Sequence, residues 1–291
     1  LLVYKQCDSR GFFVSKIFSP SQTKSFLTCE WLWKLEREGW RNREYGKNTL
    51  FAIRGSAVSA GCDAFHNGKD SSAYFLSTKD ELSSGWEKER IDSRCYSEFK
   101  SLPINKSELT DMACALVHAY AEAWPLSYTV ERSEYTFVNH GNARADIIGR
   151  NSKGILMPFD LKTKQKPAQS YYEYLTKRDF AFDHQLMHYC WALSEETGTP
   201  CLEYGIIILW YSAKPTIEVV PYSVTQERMD LWLLSAKSTW AKMEAIEQGS
   251  IEPSENAMHK SVFGACSFYK ACLEMNRDKN LMEQDYFKIL R

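Results

Sequence analysis

Residues 142–165 read NARADIIGRNSKGILMPFDLKTKQ, with an apolar run on each side of a polar segment. The polar segment, residues 150–154, is typical of a hairpin turn between two antiparallel strands. In such a hairpin, Asp146 and Asp160 lie side by side near one edge. Asp160 and Lys162 are two residues apart, so both side chains point to the same face of their strand.

This face brings together two carboxylates and an ammonium, which is a costly arrangement unless a divalent cation compensates for the negative charge. Aspartate oxygens suit a hard cation such as Mg²⁺. A neighbouring lysine can orient or activate a water molecule, or stabilise developing negative charge. The residues of the hairpin therefore indicate a metal site suited to hydrolytic chemistry.

The composition of the whole chain is that of an ordinary globular protein. Its 291 residues are 44% hydrophobic and 25% charged, with a formal net charge of −1. No overall basic field would attract nucleic acid, so any such contact must come from a local groove. We expect no transmembrane helix, and residues 1–4 are too short for the core of a signal peptide. The nine scattered cysteines predict reduced thiols in a cytoplasmic compartment.

The hydrophobic periodicity predicts helices and strands in a mixed order. We expect helices at 19–34, 47–66, 107–124, 179–195, 225–248 and 262–275, and strands at 126–138, 143–150, 154–163, 204–211 and 216–222. This order favours an α/β fold in which a small mixed sheet is flanked by helices, with a helical N-terminal and C-terminal cover.

Three motifs, taken in order, resemble the PD-(D/E)XK nuclease superfamily and most closely its RecB-like and phage RecE-like exonucleases. They are Asp146 on one strand, the run Asp160-Leu161-Lys162-Thr163 on the next strand, and Gln185-x-x-x-Tyr189 on the following helix. The resemblance covers about residues 19–275. It implies a restriction-endonuclease-like core and a single nuclease domain over 1–291. The domain would comprise a mainly helical part at 1–125, the catalytic sheet with its helix at 126–223, and C-terminal helices at 224–291.

The resemblance also implies the roles of the site residues. Asp146, Asp160 and the backbone carbonyl of Leu161 would hold Mg²⁺ or Mn²⁺. Lys162 would assist the attacking water, and Gln185 would help to position substrate or water. A further carboxylate ligand could come from Glu134 or from Glu98, and the spacing decides for neither. Contacts with DNA are expected from Lys164, Lys166 and Tyr189.

The sequence departs from the family at two places. The early helix of RecB-like nucleases carries Gly-x-x-x-His, whereas here Gly55 is followed by Ser59, so another residue takes over or the metal has fewer protein ligands and more water. Some relatives hold a [4Fe–4S] cluster through four cysteines. Cys29, Cys266 and Cys272 match three of these, but the fourth position is Phe263, so we do not expect a cluster. We favour hydrophobic packing between the N- and C-terminal helices instead.

The implied activity is metal-dependent hydrolysis of DNA phosphodiester bonds. A DNA-end exonuclease of phage-type recombination, repair or replication fits best, in the cytoplasm of a bacterial or phage-infected host cell. Its partners would be double-stranded ends or single-stranded DNA, with a single-strand annealing or recombination protein as a candidate protein partner. The alternatives are a catalytically impaired DNA-binding or interaction protein on the same fold, and a structure-selective endonuclease.

Overall fold

The computed structural model describes residues 16–42, 49–67, 107–123, 128–165, 183–212 and 214–254, together with 260–261, 264–265, 268, 282 and 286–288. The described helices are α1 (Pro20–Thr28), α2 (Glu30–Arg37), α3 (Thr49–Asn67), α4 (Ser107–Ala123), α5 (His184–Thr197) and α6 (Gln226–Glu247). The described strands are β1 (Trp40–Asn42), β2 (Tyr128–Phe137), β3 (Ala143–Asn151), β4 (Leu156–Gln165), β5 (Glu203–Tyr211), β6 (Thr216–Ser223), β7 (Lys260–Ser261), β8 (Gly264–Ala265) and β9 (Tyr286–Lys288).

The chain groups into two compact units built from interleaved segments. One unit, which we call the sheet unit, comprises residues 50–137 and 143–229. The other comprises residues 1–49, 138–142 and 230–291. A single nuclease domain over the whole chain stays a prediction.

The sheet unit contains a five-stranded mixed sheet in the order β2-β3-β4-β5-β6. Strands β4 and β5 are parallel, and the other neighbouring pairs are antiparallel. The parallel pair requires a crossover connection, and α5 supplies its helix. Strand β5 is buried along nearly its whole length, as expected for a strand covered on both faces.

The hairpin between β3 and β4 follows from its turn residues. The Asn151 side chain accepts hydrogen bonds from the backbone N–H groups of Lys153 and Ile155, at 2.9 and 3.1 Å. Gly154 has a φ of +77°, a conformation that side-chain-bearing residues rarely adopt. This turn sets the register of the hairpin, and the register in turn decides which residues lie beside Asp160.

Helices cover both faces of the sheet. On one face, α3 and α4 contribute buried residues to a common core with the strands, among them Val58, Phe65, Val117, Phe159, Ile207 and Leu209. Helix α5 packs against β3, β4 and β5. Side chains alternate between the two faces of a strand, so Phe159 enters the core while Asp160 points to the opposite face.

The predicted fold class is confirmed: the structure is α/β, with a small mixed sheet flanked by helices. All five predicted sheet strands are present close to their predicted ends. The helices predicted at 47–66, 107–124, 179–195 and 225–248 correspond to α3, α4, α5 and α6 over the described residues. Within those residues, no helix is both long and apolar enough to cross a membrane.

Two helix predictions are wrong in part. The single helix expected over 19–34 is broken at Cys29, whose φ of −165° and ψ of 123° are those of extended backbone, so α1 and α2 are separate helices. In the helix expected over 262–275, Gly264–Ala265 instead form strand β8, which pairs with β7. Most of the other residues of that segment lie outside the described part of the chain.

The second unit brings distant parts of the sequence together. Strand β1 pairs antiparallel with β9, an arrangement that the sequence did not predict because nearly the whole chain separates the two strands. Leu35 and Trp40 share a buried cluster with Phe268 and Met282. Hydrophobic contacts therefore join N- and C-terminal residues in this unit, whereas the predicted packing of the helices around Cys29, Cys266 and Cys272 stays a prediction, because Cys266 and Cys272 lie outside the described residues.

Candidate active site

Strands β3 and β4 stop pairing at the level of the two candidate aspartates. Their ladder ends with Ile147 opposite Phe159. Asp146 and Asp160 would form the next pair in this register, just beyond the last paired residues. The two strands therefore separate there, and the two carboxylates face the gap that results.

A third carboxylate extends this row across the sheet. On the other side of β3, Ser133 pairs with Ile147 and Tyr135 pairs with Ala145. Glu134 lies between them and therefore stands across from Asp146. The cross-strand register thus places Glu134, Asp146 and Asp160 in one row over three neighbouring strands.

Asp146 is held at the gap by a backbone group of β4. Its Oδ2 atom accepts a hydrogen bond of 2.7 Å from the backbone N–H of Leu161. Burial and the negative charge of Asp160 raise the pKa of Asp146 to about 7, against the opposing effects of Leu161 and Lys162. The N–H and C=O of one strand residue point to the same side, so the Leu161 carbonyl also faces the gap.

Asp160 is paired with the lysine of its own strand. It is only 3% exposed, and its Oδ2 atom lies 2.5 Å from Lys162 Nζ. Burial works against the charged form of Lys162, but the attraction of Asp160 outweighs it and raises the Lys162 pKa above its usual value. Lys162 is therefore an ammonium ion, and its contribution is electrostatic.

Helix α5 presents Gln185 to Asp160. Asp183 caps the helix by accepting hydrogen bonds from the backbone N–H groups of Gln185 and Leu186. Gln185 Nε2 donates to Asp160 Oδ1 at 3.1 Å and to the Tyr189 hydroxyl at 2.6 Å. Tyr189 is four residues further along the helix, on the same face.

Tyr189 completes a link between the two separated strands. Its hydroxyl donates a hydrogen bond to the backbone carbonyl of Arg144, on β3. The chain of hydrogen bonds therefore runs from Asp160 on β4 through Gln185 and Tyr189 to β3. Tyr189 is only 3% exposed, and its burial raises the pKa of its hydroxyl. Tyr189 therefore contacts Gln185 and the Arg144 backbone in this structure, and its contact with DNA stays a prediction.

Ser59 occupies the place where the related nucleases have histidine, and it has a partner of its own. Its hydroxyl donates a hydrogen bond of 2.6 Å to Glu134 Oε1. Arg144 Nε lies 2.9 Å from the other carboxylate oxygen, Oε2. Sequence reasoning did not identify Arg144, although its spacing of two residues from Asp146 on a predicted strand was a usable signal.

The other predicted site residues are placed as follows. Lys164 is partly buried on β4, on the same face as Lys162. Cys29 is a buried free thiol at the junction of α1 and α2. Glu98, Lys166, Cys266 and Cys272 lie outside the described residues.

The donor atoms at the gap fit a hard divalent cation. Among the described residues, no three His, Cys, Asp or Glu side chains are grouped so that they could hold a metal ion by themselves. Asp146, Asp160 and the Leu161 carbonyl nevertheless provide oxygen donors, and Mg²⁺ commonly binds through one or two carboxylates while keeping several waters. Burial and the neighbouring Asp160 raise the pKa of Asp146 despite Lys162, so ionising both carboxylates costs free energy in the metal-free protein.

The sequence of this chain matches a known protein family. The family profile of the PD-(D/E)XK nuclease superfamily matches residues 17–272. No curated protein sequence matches significantly. Among solved structures, the chain is similar to a protein from Eubacterium rectale described as a candidate exonuclease, with 15% identity, coverage of 86% of this chain and 90% of that one, and a TM-score of 0.48. The family profile matches most of the chain, which shows that this chain belongs to the PD-(D/E)XK nuclease superfamily.

Proposed function

We propose that this nuclease is a Mg²⁺- or Mn²⁺-dependent exonuclease that hydrolyses phosphodiester bonds at DNA ends. The observation that carries the proposal is the placement of Asp146, Asp160 and Lys162 where β3 and β4 separate. Buried carboxylates of this kind are costly without a compensating cation. They lie where the pairing of β3 and β4 ends, so their oxygen atoms are not occupied by a continuing strand ladder.

Asp146, Asp160 and the Leu161 carbonyl would hold the cation. When bound, the cation supplies Lewis acidity and lowers the pKa of a coordinated water. Lys162 keeps its positive charge and stabilises the negative charge that develops on the phosphate oxygens. Gln185 fixes the orientation of the Asp160 carboxylate through its 3.1 Å hydrogen bond. Glu134 and Glu98 remain candidates for a further ligand.

The wider role rests on the resemblance to RecB-like and phage RecE-like enzymes. We propose DNA ends as the substrate, recombination, repair or replication as the setting, and the cytoplasm of a bacterial or phage-infected cell as the location. A single-strand annealing or recombination protein is the proposed partner. Lys164 and Lys166 would contact phosphates near the cut, since lysine ammonium groups bind them as point charges.

Two other functions remain candidates. Ser59 replaces the histidine that serves as a metal ligand in related nucleases, and this favours a catalytically impaired DNA-binding or interaction protein. The second alternative is a structure-selective endonuclease, because the same catalytic residues would serve it. Each alternative predicts a different outcome with the same set of DNA substrates.

The test compares wild-type protein with Asp160→Asn on end-labelled linear duplex, linear single strands and circular single strands. Each substrate is incubated with Mg²⁺, Mn²⁺ or EDTA. We expect linear DNA to be degraded from its ends in a metal-dependent manner, circular DNA to stay intact, and Asp160→Asn to be inactive. Cleavage of the circle would favour the endonuclease. Binding without cleavage in any metal would favour the impaired protein.

A further inference from the structure

Arg144 lies beside the proposed catalytic residues, but it is neither a proposed metal ligand nor a proposed catalytic group. It precedes Asp146 by two residues on β3, so the two side chains share a face about 7 Å apart along the strand. The Arg144 side chain is 65% exposed, in contrast to the buried aspartates. Within the part of the chain that the structure describes, its guanidinium contacts Glu134 through Nε.

The backbone and the side chain of Arg144 are each held by a neighbouring residue. The Tyr189 hydroxyl donates to its backbone carbonyl, and Glu134 holds its Nε atom. Glu134 in turn accepts the Ser59 hydroxyl through its other oxygen. Glu134 has a φ of +48°, which is uncommon for a residue with a side chain and costs free energy unless the surroundings maintain it. These contacts therefore hold the exposed guanidinium of Arg144 in one orientation.

The charges around the gap indicate that a DNA phosphate would need a further cationic partner there. Glu134, Asp146 and Asp160 repel a phosphate backbone, and Lys162 is already paired with Asp160. Guanidinium groups bind phosphates through two parallel N–H donors. Among the described residues, Glu134 engages Arg144 through Nε, and because the Arg144 side chain is 65% exposed, its guanidinium remains accessible to a phosphate.

We propose that Arg144 is a DNA-binding residue that holds a backbone phosphate adjacent to the scissile bond, and that Ser59 and Glu134 are positioning residues that orient it. This inference rests on the proposed nuclease activity, because it places the phosphate relative to the same gap. It also explains what Ser59 does at a position where related enzymes use histidine: its hydroxyl holds the carboxylate that aligns Arg144.

The first test measures DNA affinity at several salt concentrations, by fluorescence anisotropy in EDTA, for wild type, Arg144→Ala, Arg144→Lys and Arg150→Ala. Arg150 is a matched control on the same strand. It is also exposed, at 45%, and it is paired with a glutamate, Glu131, but it lies beside the hairpin turn away from the gap. Loss of one phosphate contact should lower the slope of log affinity against log salt by about 1.

We expect Arg144→Ala to bind about three- to tenfold more weakly near 0.1 M salt, with the smaller slope, because one phosphate contact is lost. Arg144→Lys should keep most of the slope, since a lysine still neutralises the phosphate. Arg150→Ala should match wild type. Equal behaviour of Arg144→Ala and Arg150→Ala would overturn the assignment of Arg144 as a phosphate contact.

The second test addresses the positioning residues. Glu134→Ala removes a negative charge, so DNA affinity should hold or rise, but the single-turnover cleavage rate should fall about tenfold because Arg144 loses its alignment. Mn²⁺ affinity should be unchanged in this variant, since a loss of Mn²⁺ binding would instead make Glu134 a metal ligand. Ser59→Ala should change the rate in the same direction by less. If Arg144 merely held Glu134 as a metal ligand, Arg144→Ala would weaken Mn²⁺ binding and leave the salt slope unchanged, which would refute the inference.

The outcomes separate this inference from the proposed function. If wild-type protein cleaves no DNA but Arg144→Ala still lowers the salt slope, the nuclease proposal fails and the phosphate contact stands. If wild-type protein cleaves linear DNA while Arg144→Ala binds and cleaves normally, the nuclease proposal stands and the inference fails.

Discussion

Asp146 and Leu161 are joined across the two separating strands by a hydrogen bond of 2.7 Å from the Leu161 N–H to Asp146 Oδ2. A carboxylate oxygen here takes the place of the backbone acceptor that a continuing ladder would have supplied. The same hydrogen bond turns the Leu161 peptide toward the gap, where its carbonyl can act as a metal ligand. It also keeps Asp146 in a buried position beside Asp160, and this has consequences for stability.

Asp146→Asn should stabilise the metal-free protein at alkaline pH and abolish metal-dependent cleavage. The folded pKa of Asp146, about 7, is above its ordinary value of 3.8. The folded state therefore binds more protons between these values, and the free energy of unfolding of the wild type falls as pH rises from about 4 to about 7. Asparagine removes this dependence, with a gain on the order of 1–4 kcal/mol at pH 8.

Urea unfolding in EDTA at pH 5 and pH 8 measures this effect. Asp111→Asn is the control, because Asp111 is an exposed aspartate on α4. If the free energy of unfolding of Asp146→Asn changes between pH 5 and pH 8 as much as that of the wild type, Asp146 is not the group responsible.

Metal binding should release protons. Both carboxylates must be ionised to hold the cation, and the pKa of about 7 leaves Asp146 largely protonated at pH 6. Calorimetric titration with Mn²⁺ in buffers of different ionisation enthalpy should therefore show release of nearly one proton at pH 6 and little release at pH 8.5. Proton release that does not vary with pH would contradict metal binding at Asp146.

Lys162→Ala should bind metal but cleave DNA slowly. The lysine is not a metal ligand, and loss of one electrostatic stabiliser of the transition state typically costs on the order of 10²–10³ in rate. Without metal, Asp160 would lose the ammonium at 2.5 Å, and the protein should be destabilised by about 1–3 kcal/mol. Mn²⁺ should restore much of that stability.

Single-turnover cleavage and thermal unfolding with and without Mn²⁺ test both expectations for Lys162. Lys153→Ala, in the exposed hairpin turn, controls for the loss of one positive charge. Normal cleavage by Lys162→Ala would mean that the face of β4 has been misinterpreted.

Tyr189→Phe should impair both stability and catalysis. The change leaves Gln185 and the Arg144 carbonyl each without one buried hydrogen-bond partner, at a cost of about 1–2 kcal/mol. Because Gln185 then holds Asp160 less firmly, the cleavage rate should fall on the order of tenfold.

Tyr135→Phe is the matched control for Tyr189→Phe, since the Tyr135 hydroxyl donates to Glu196 at an exposed site. Chemical denaturation and single-turnover cleavage should show the losses in Tyr189→Phe and not in Tyr135→Phe. If Tyr135→Phe and Tyr189→Phe behave alike, the link between β3 and β4 through α5 does not matter for function.

Protein purified without oxygen should be colourless. Cys29 is a buried free thiol, and Phe263 stands where a fourth cluster ligand would be needed. We therefore expect no absorbance near about 400 nm, where thiolate-bound iron–sulfur centres absorb. A brown preparation with about four irons per chain would require a cluster and a further ligand.

The sequence alone determined the features that depend on local spacing. A strand repeats every two residues, so Asp160 and Lys162 had to share a face, and a helix brings residues four apart together, so Gln185 and Tyr189 had to be neighbours. The turn residues at 150–154 set the hairpin that brings Asp146 to Asp160. These rules were sufficient to predict the strands of the sheet and the residues proposed for the centre of the candidate site.

Only the tertiary structure decided how the site is supported. Ser59 reaches Glu134 across 75 residues of sequence, and Tyr189 reaches Arg144 across 45. Such contacts depend on how α3 and α5 dock onto the sheet, which follows from the packing of many side chains and not from any local pattern. For the same reason, packing decided that Tyr189 is buried and that β1 pairs with β9, whereas the sequence pattern indicated neither.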